Sequence, residues 1–300
     1  MLHAMSFPAP PAPVFPPDQA TTTEEYLRYD DITQDGRLMP IAIPPALGGL
    51  WRGVLVKHPG ARAAAATGVI PILTRLTIAA HDQRIRVDRP IETRGGFELA
   101  HDEDAAGAAS RLFMNIWCEV RGIAGRIVPR EPAGPLSLAG QLFAEHTFTR
   151  PFAPPDQRRV TRLEVAGYPA IPEARHAAPA PTTAGEAPDG ATWLDELTTD
   201  STEVSFTLDH TDSNQHVNSL VYIRAFLDAV QRRLAATGRS LNVRSRAVDI
   251  AYRKPCFVGD RVRASLRLFD QAGVLGAAGF IATPGDEAKP RCYVRVLVGP

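Results

Sequence analysis

Between residues 201 and 208 (STEVSFTL) polar and apolar positions alternate, with Val204, Phe206 and Leu208 on one face, which predicts a half-buried strand. A polar stretch, DHTDSNQ, follows. The next run, HVNSLVYIRAFLDAVQRRLAATGR, sets Val217, Leu220, Val221, Ile223, Leu227, Val230 and Leu234 at three- and four-residue spacing. That periodicity predicts an amphipathic helix over about 217–237, with Gly238 as its terminator and Arg232 and Arg233 in its last turns. Four alternating runs come next, at roughly 243–253, 260–269, 273–283 and 290–298, each predicting a strand.

A long apolar helix needs a sheet to cover it, and four successive hairpin-linked strands make a curved antiparallel sheet. A helix placed early, between the first strand and the other four, and wrapped by their sheet describes the hotdog fold. A doubly wound α/β fold would need alternating helices, and these are absent. Residues 20–165 repeat the order less cleanly. The pattern suggests a short strand at 24–29, a polar turn at 30–36 and a helix over 41–57, shortened or kinked by Pro44, Pro45, Gly48 and Gly49. Strand-like runs follow at about 69–79, 84–88, 91–99, 109–121 and 141–149. Superposing the two polar turns sets Asp31 against Asp209, Gln34 against Asp212 and Leu38 against His216. The expected architecture is therefore α+β: two tandem hotdog units, each a long helix wrapped by an antiparallel sheet. The expected division is a proline-rich, extended and solvated arm over 1–19, a degenerate and non-catalytic unit over 20–165, a linker over 166–192, and a unit over 193–300 carrying the chemistry.

Composition narrows the functional classes. Thirty-three basic against thirty-three acidic residues in a chain of 300 leave no global field for a polyanion, so nucleic acid is not an expected partner. Three cysteines without a C-x-x-C suggest neither a disulfide framework nor a zinc knot, as in a reducing cytosol. The opening MLHAMSFPAPPAPVFPP has prolines where a signal peptide needs an apolar run, and Arg62 and Arg75 interrupt the best apolar stretch. A cytoplasmic protein with no membrane partner is expected, with a homodimer left open.

The densest polar cluster runs from Asp209 to Asn218 and opens the long helix. Free backbone N–H groups at a helix start can hold a developing negative charge. Asp212 and His216, four residues apart, can converge there as the carboxylate and imidazole that hydrolysis of an activated acyl group requires. Asp, Ser and Asn before a helix also serve as caps, so a purely structural reading stands beside the catalytic one. His210, Asp212 and His216 lack an identifiable further ligand, so no metal and no cofactor are assigned. Cys256 could be a nucleophile near His216 or an ordinary core residue.

The run Asp212-Ser-Asn214-Gln-His216-Val-Asn218-Ser-Leu-Val-Tyr222 resembles the D-x-N-x-H-x-N-N-x-x-Y motif of plant and bacterial acyl–acyl carrier protein thioesterases. It is similar also to the wider 4-hydroxybenzoyl-CoA thioesterase group. The acyl carrier protein thioesterases have two hotdog units in one chain, the second carrying the site. The resemblance covers the element order of 200–300 well and of 20–165 loosely. It implies Asp212 and His216 as the groups that position and activate water, with Asn214 orienting the carbonyl or the imidazole. Asn218 would pin the helix start beside the substrate, while Tyr222, Trp51 and Cys256 would line the acyl pocket. The family's next strand ends Y-R-R-E-C with a catalytic Glu, whereas this chain reads Tyr252-Arg-Lys-Pro255-Cys256. Asp249 or Asp260 could substitute, Asp212 could handle the water alone, or the protein is not a fast hydrolase. The implied function is hydrolysis of an acyl thioester on a carrier protein or coenzyme A, in fatty acid or polyketide metabolism. The alternatives are a hotdog dehydratase or hydratase acting on a β-hydroxyacyl thioester, and a non-catalytic acyl-thioester-binding protein. Arg-rich turns at 244–246 and 158–159 could meet a phosphopantetheine or an acidic carrier, or be plain solvated surface.

Overall fold

The computed structural model describes residues 6–300. The first half of the chain forms β1 (Ala20–Glu25), β2 (Ile70–Ala80), β3 (Ile91–Glu103), β4 (Ala109–Ile123) and β5 (Leu136–Thr149). The second half forms the short β6 (Ala174–Arg175), β7 (Thr192–Trp193), β8 (Thr198–Thr199) and β9 (Val204–Ser205), then β10 (Arg244–Tyr252), β11 (Arg261–Gln271), β12 (Val274–Ala282) and β13 (Cys292–Gly299). All belong to one sheet, in the order β1-β3-β4-β5-β2-β10-β13-β12-β11-β7, with β8 and β9 also on β11 and β6 on β3. Read outward from the β2–β10 seam, with the short β7, β8 and β9 on β11 taken together as the second half's first strand, each half runs second strand, fifth, fourth, third, first. The internal repeat is thus carried by topology, with the two second strands paired antiparallel from Ala247↔Ala79 to Ala251↔Arg75.

The second half's helix, α3 (Ser219–Ala236), is an uninterrupted 18 residues. Asn218 caps it by accepting the Leu220 N–H, and Gly238, at φ +68°, ends it. Its apolar face, including Tyr222, Ile223, Phe226, Val230 and Leu234, is buried against the sheet. The single helix expected over 41–57 is broken. Tight turns at Pro40–Ala42 and Pro44–Ala46 lead into α1 (Leu47–Leu50), a wide turn at Trp51–Leu55, and α2 (Pro59–Ala66). Each proline removes a backbone donor and crowds the preceding turn, so the helix is remade in pieces, while Ile43, Leu50 and Leu55 still reach the core. No described helix is long and apolar enough to cross a membrane.

Three further expectations change. The strand foreseen at 201–208 shrinks to β9, because Leu208–His210 turns and leaves Leu208 exposed. The first strand is 20–25 instead of 24–29, and 84–88 makes only isolated bridges. The proline-rich arm expected over 1–19, of which residues 1–5 lie outside the described residues, is docked and not solvated. Phe7 is buried with Phe269 and Leu297, Phe15 packs on Trp117, and the Trp117 indole donates to the Pro10 carbonyl. The segment 166–192 is likewise anchored, by β6, by a 2.7 Å His176–Glu145 pair and by Thr183 on Arg75. The arm and residues 176–189 lie across the face of the sheet away from α3, while Tyr168 packs into the core against His58 and Phe148. Polar outward residues there need partners, and these segments provide them.

Candidate active site

The polar motif forms a tight loop closed by a bridge between Thr211 and Val217. Within it Asp212 N–H donates to the His216 carbonyl, Gln215 N–H to the Asp212 carbonyl, and Asn218 N–H to the His210 carbonyl. Gln215 takes φ +65°. The first half builds the same loop: Ile32 bridges Leu38, Thr33 N–H donates to Arg37, Gly36 N–H to Thr33 at φ +88°, and Met39 N–H to Asp31. This fixes the correspondence between the halves one residue away from that read in the sequence. Thr33, not Gln34, stands at the place of Asp212, and Arg37, not Leu38, at that of His216. Matching hydrogen bonds define the register, whereas the sequence offered only the similarity of two polar turns. In the first loop Asp35 pairs with Arg37 and accepts from the Thr33 hydroxyl. These contacts hold the Asp35 carboxyl below its usual range in spite of desolvation, which is the largest influence and pushes the other way.

In the second loop the Asp212 carboxylate accepts two hydrogen bonds, one from the Asn214 N–H at 2.9 Å and one from the Asn218 amide at 3.1 Å. His216 is half-buried, with Nδ1 3.2 Å from the Val217 carbonyl. The tautomer protonated at Nδ1 satisfies that contact and leaves Nε2 as an acceptor. Asp212 and His216 share one loop, but both carboxylate oxygens are engaged elsewhere. Asn214 has an exposed side chain and contributes its backbone. Asn218 joins the loop to the helix, donating to Asp212 and capping Leu220. As the first helical residue, Ser219 has no intrahelical acceptor for its N–H.

A cavity of about 270 Å³ opens at this helix start, lined by Asn218, Ser219 and Leu220 on one side and by the first half on the other. The remaining residues read from the sequence fall elsewhere. Tyr222 is buried and its hydroxyl accepts the Cys256 N–H at 2.7 Å, so it braces the helix and does not line this cavity. Cys256 is fully buried, and burial pushes its thiol up, away from a reactive thiolate. Trp51, 44 % exposed, sits on the solvent side of the broken helix, because the turns at 40–46 redirect the segment. The segment holding Pro255 does lie against the motif, since the Cys256 carbonyl accepts the Val217 N–H. Of the two carboxylates that could substitute, Asp260 lies beside this segment but is engaged by its own turn, and Asp249 is remote. Asp249 is buried on the opposite face between Arg75 and Arg295, and Asp260 caps its own turn by accepting the Phe257 N–H. Arg244 and Arg246 converge on Asp82 and do not present a free cationic patch. Among the described residues no cluster of three or more His, Cys, Asp or Glu could hold a metal ion.

Among the cavity residues that went unread in the sequence, the titratable one is His146, from β5 of the first half. The signal was available, because in LFAEHTF His146 stands in phase with Leu142, Ala144 and Phe148, all core residues.

No family model matches the sequence, and no curated protein matches it significantly. Solved structures do match in three dimensions. A Lactobacillus plantarum protein assigned as an oleoyl thioesterase superposes with a TM-score of 0.61 at 16% identity, over 93% of this chain and 94% of that one. An acyl-ACP thioesterase from Bacteroides thetaiotaomicron gives 0.58 at 15% identity, over 93% and 98%. The 12:0-ACP thioesterase from Umbellularia californica gives 0.57 at 12% identity, over 94% and 97%. What the chain shares with these three along nearly its whole length is a fold, the double hotdog, in which two helix-and-sheet units are joined edge to edge in one sheet.

Proposed function

We propose that the protein hydrolyses acyl thioesters carried on coenzyme A or an acyl carrier protein, in the cytoplasm, with the unit over 193–300 supplying the chemistry. The observation that carries this reading is the Asp212–Asn218 hydrogen bond, which ties the motif's carboxylate to a wall of the cavity at the start of α3. In this reading the thioester carbonyl enters the cavity with its oxygen toward the Ser219 N–H and the positive end of the helix dipole. Asp212, steadied by Asn218 and the Asn214 N–H, orients a water molecule, and His216 Nε2 takes its proton. Oxygen adds to the carbonyl carbon, the C–S bond breaks, and the thiolate leaves with the proton from His216. A free carboxylic acid and a free thiol result. The unit over 20–165 offers Thr33 and Arg37 where the base would stand, so it acts as a wall for the acyl group.

The whole-length likeness to three proteins named as thioesterases supports the reading. The test is a panel of acyl-coenzyme A and acyl-carrier substrates, following free thiol and product mass together. Thiol release with the free acid is the expected result. Loss of water without thiol would make the protein a dehydratase, and binding with neither product would make it a binding module.

A further inference from the structure

Tyr252, the last residue of β10, donates from its hydroxyl to the Ser219 carbonyl at 3.1 Å, in the first turn of α3. The N–H of that same peptide group, belonging to Leu220, donates to Asn218 Oδ1 at 2.9 Å. Asn218 Nδ2 in turn donates to Asp212 Oδ2 at 3.1 Å. The three bonds run head to tail from phenol to peptide to side-chain amide to carboxylate. Each of the two amides in the chain is delocalised, so a bond accepted at its oxygen strengthens the donor on its nitrogen, and bonds in series reinforce one another. The Tyr252 ring is partly buried on the core and meets Tyr222 edge-on at 6.0 Å. Desolvation pushes its phenol well above the ordinary range, so it stays protonated and remains a donor at physiological pH. The fold does not need that donor. In the helix the Ser219 carbonyl already has the Ile223 N–H as its partner, and a phenylalanine would fill the same space.

We propose that Tyr252 is a positioning residue, whose hydroxyl acts through the Ser219–Leu220 peptide and Asn218 to set the orientation of the Asp212 carboxylate. The inference rests on the hydrolase reading of the same site and adds a residue to it. Asp212 Oδ1 is held within its own loop by the Asn214 N–H at 2.9 Å. Oδ2 is the oxygen tied to the wall of the cavity, and its direction depends on the chain from Tyr252. Without the phenol, Asn218 still caps the helix but donates less strongly. The carboxylate can then turn about its last bond, and the water it orients is held less well. The loss falls on kcat and not on KM, because the chain ends at the reacting groups and does not form the apolar wall supplied by the first half.

The experiment is a double-mutant cycle of Tyr252→Phe, Asn218→Ser and the two combined. It is read by kcat and KM on acyl-coenzyme A and, without substrate, by the proton shifts of the Leu220 N–H and the Asn218 side-chain amide. Tyr252→Phe should lower kcat about fivefold, the worth of one neutral hydrogen bond, and keep KM within about twofold. Both amide resonances should move upfield, with Tm little changed. Asn218→Ser keeps a cap and removes the donor to Asp212, so adding Tyr252→Phe to it should lower kcat no further. Additive losses around the cycle, a loss confined to KM, or an unmoved Asn218 amide resonance in Tyr252→Phe overturns the proposal. Unfolding of Tyr252→Phe overturns it as well, since the hydroxyl would then serve the fold. If the unaltered protein cleaves no thioester, the hydrolase reading fails, and the coupling of Tyr252 to Asp212 stands or falls on the amide shifts alone.

Discussion

Asp212 and His216 have different degrees of structural engagement, and this separates the consequences of replacing them. The Asp212 carboxylate takes two hydrogen bonds that shape the loop, whereas the His216 ring makes one contact with the neighbouring carbonyl. His216→Ala should lower kcat by about two orders of magnitude or more with little change in Tm, the usual scale for a positioned base. Asp212→Asn should lower kcat on the same scale and also cost about 1 kcal/mol of stability, because an amide oxygen accepts less strongly than a carboxylate. Cys256→Ser should keep most of the activity; loss of activity with a trapped acyl-enzyme mass would mean covalent catalysis. His146 allows a prediction without substrate. Its folded pKa is about 4, below the ordinary histidine value, so between roughly 6.5 and 4 the unfolded chain binds more protons than the folded one. Stability is present above that window and falls as pH is lowered through it, by on the order of 3 kcal/mol at its foot. His146→Leu should flatten this slope in denaturant titrations run from pH 7 to pH 4. An unchanged slope would place the ring in water.

At the scale of elements, the seam between β2 and β10 is where two half-sheets become one. On the outward face there, Asp249 is fully buried and accepts from Arg75 at 2.8 and 2.6 Å, from Arg295 at 3.0 Å and from the Thr77 hydroxyl at 3.1 Å. One carboxylate thus compensates two buried guanidiniums from strands of both halves. Asp249→Ala would leave both uncompensated and should destabilise the protein by about 3–5 kcal/mol in chemical unfolding. A loss under about 1 kcal/mol would show that water reaches the pair. The contrast between the two helical regions follows from composition alone: α3 carries no proline or glycine in its 18 residues, while 40–60 holds Pro40, Pro44, Pro45, Gly48, Gly49, Gly53, Pro59 and Gly60. The broken helix is what brings Pro44, Pro45 and Leu47 to the cavity mouth.

For the molecule as a whole, the sheet has two faces with different occupants. The helices fill one, and the arm with residues 176–189 crosses the other. Phe7 lies under the Arg295 guanidinium at 4.7 Å and Phe15 against Trp117, so the arm seals the side on which the seam's charges lie. Deleting residues 1–15 should lower stability by about 2 kcal/mol, the net of two aromatic contacts against the restored freedom of the chain. It should also shift Trp117 fluorescence toward that of a solvated indole, while leaving kcat within about twofold, since the cavity is on the other face. A large loss of kcat would connect the arm to the site.

The second half was legible because its determinants are local. The seven apolar positions from Val217 to Leu234 specify α3, four successive alternating or wholly apolar runs specify β10 to β13, and the polar loop lies contiguous between Asp209 and Asn218. The motif residues of the site were therefore visible in one dimension. The first half was only partly legible, because closely spaced prolines and glycines mask the helical period and because Thr33 and Arg37 share no chemistry with Asp212 and His216. Only matching backbone hydrogen bonds reveal which residues correspond. The burial of Tyr222 and Cys256, the outward turn of Trp51 and the docking of the arm each depend on what packs across the sheet, which no window of sequence contains. His146 shows the division most clearly. Its phase in β5 determined that it points into the core, but that it meets the start of α3 was decided by two strands pairing 176 residues apart, Arg75 with Ala251 across the seam. Local periodicity is written residue by residue, whereas a cavity between two halves exists only once their edges have joined.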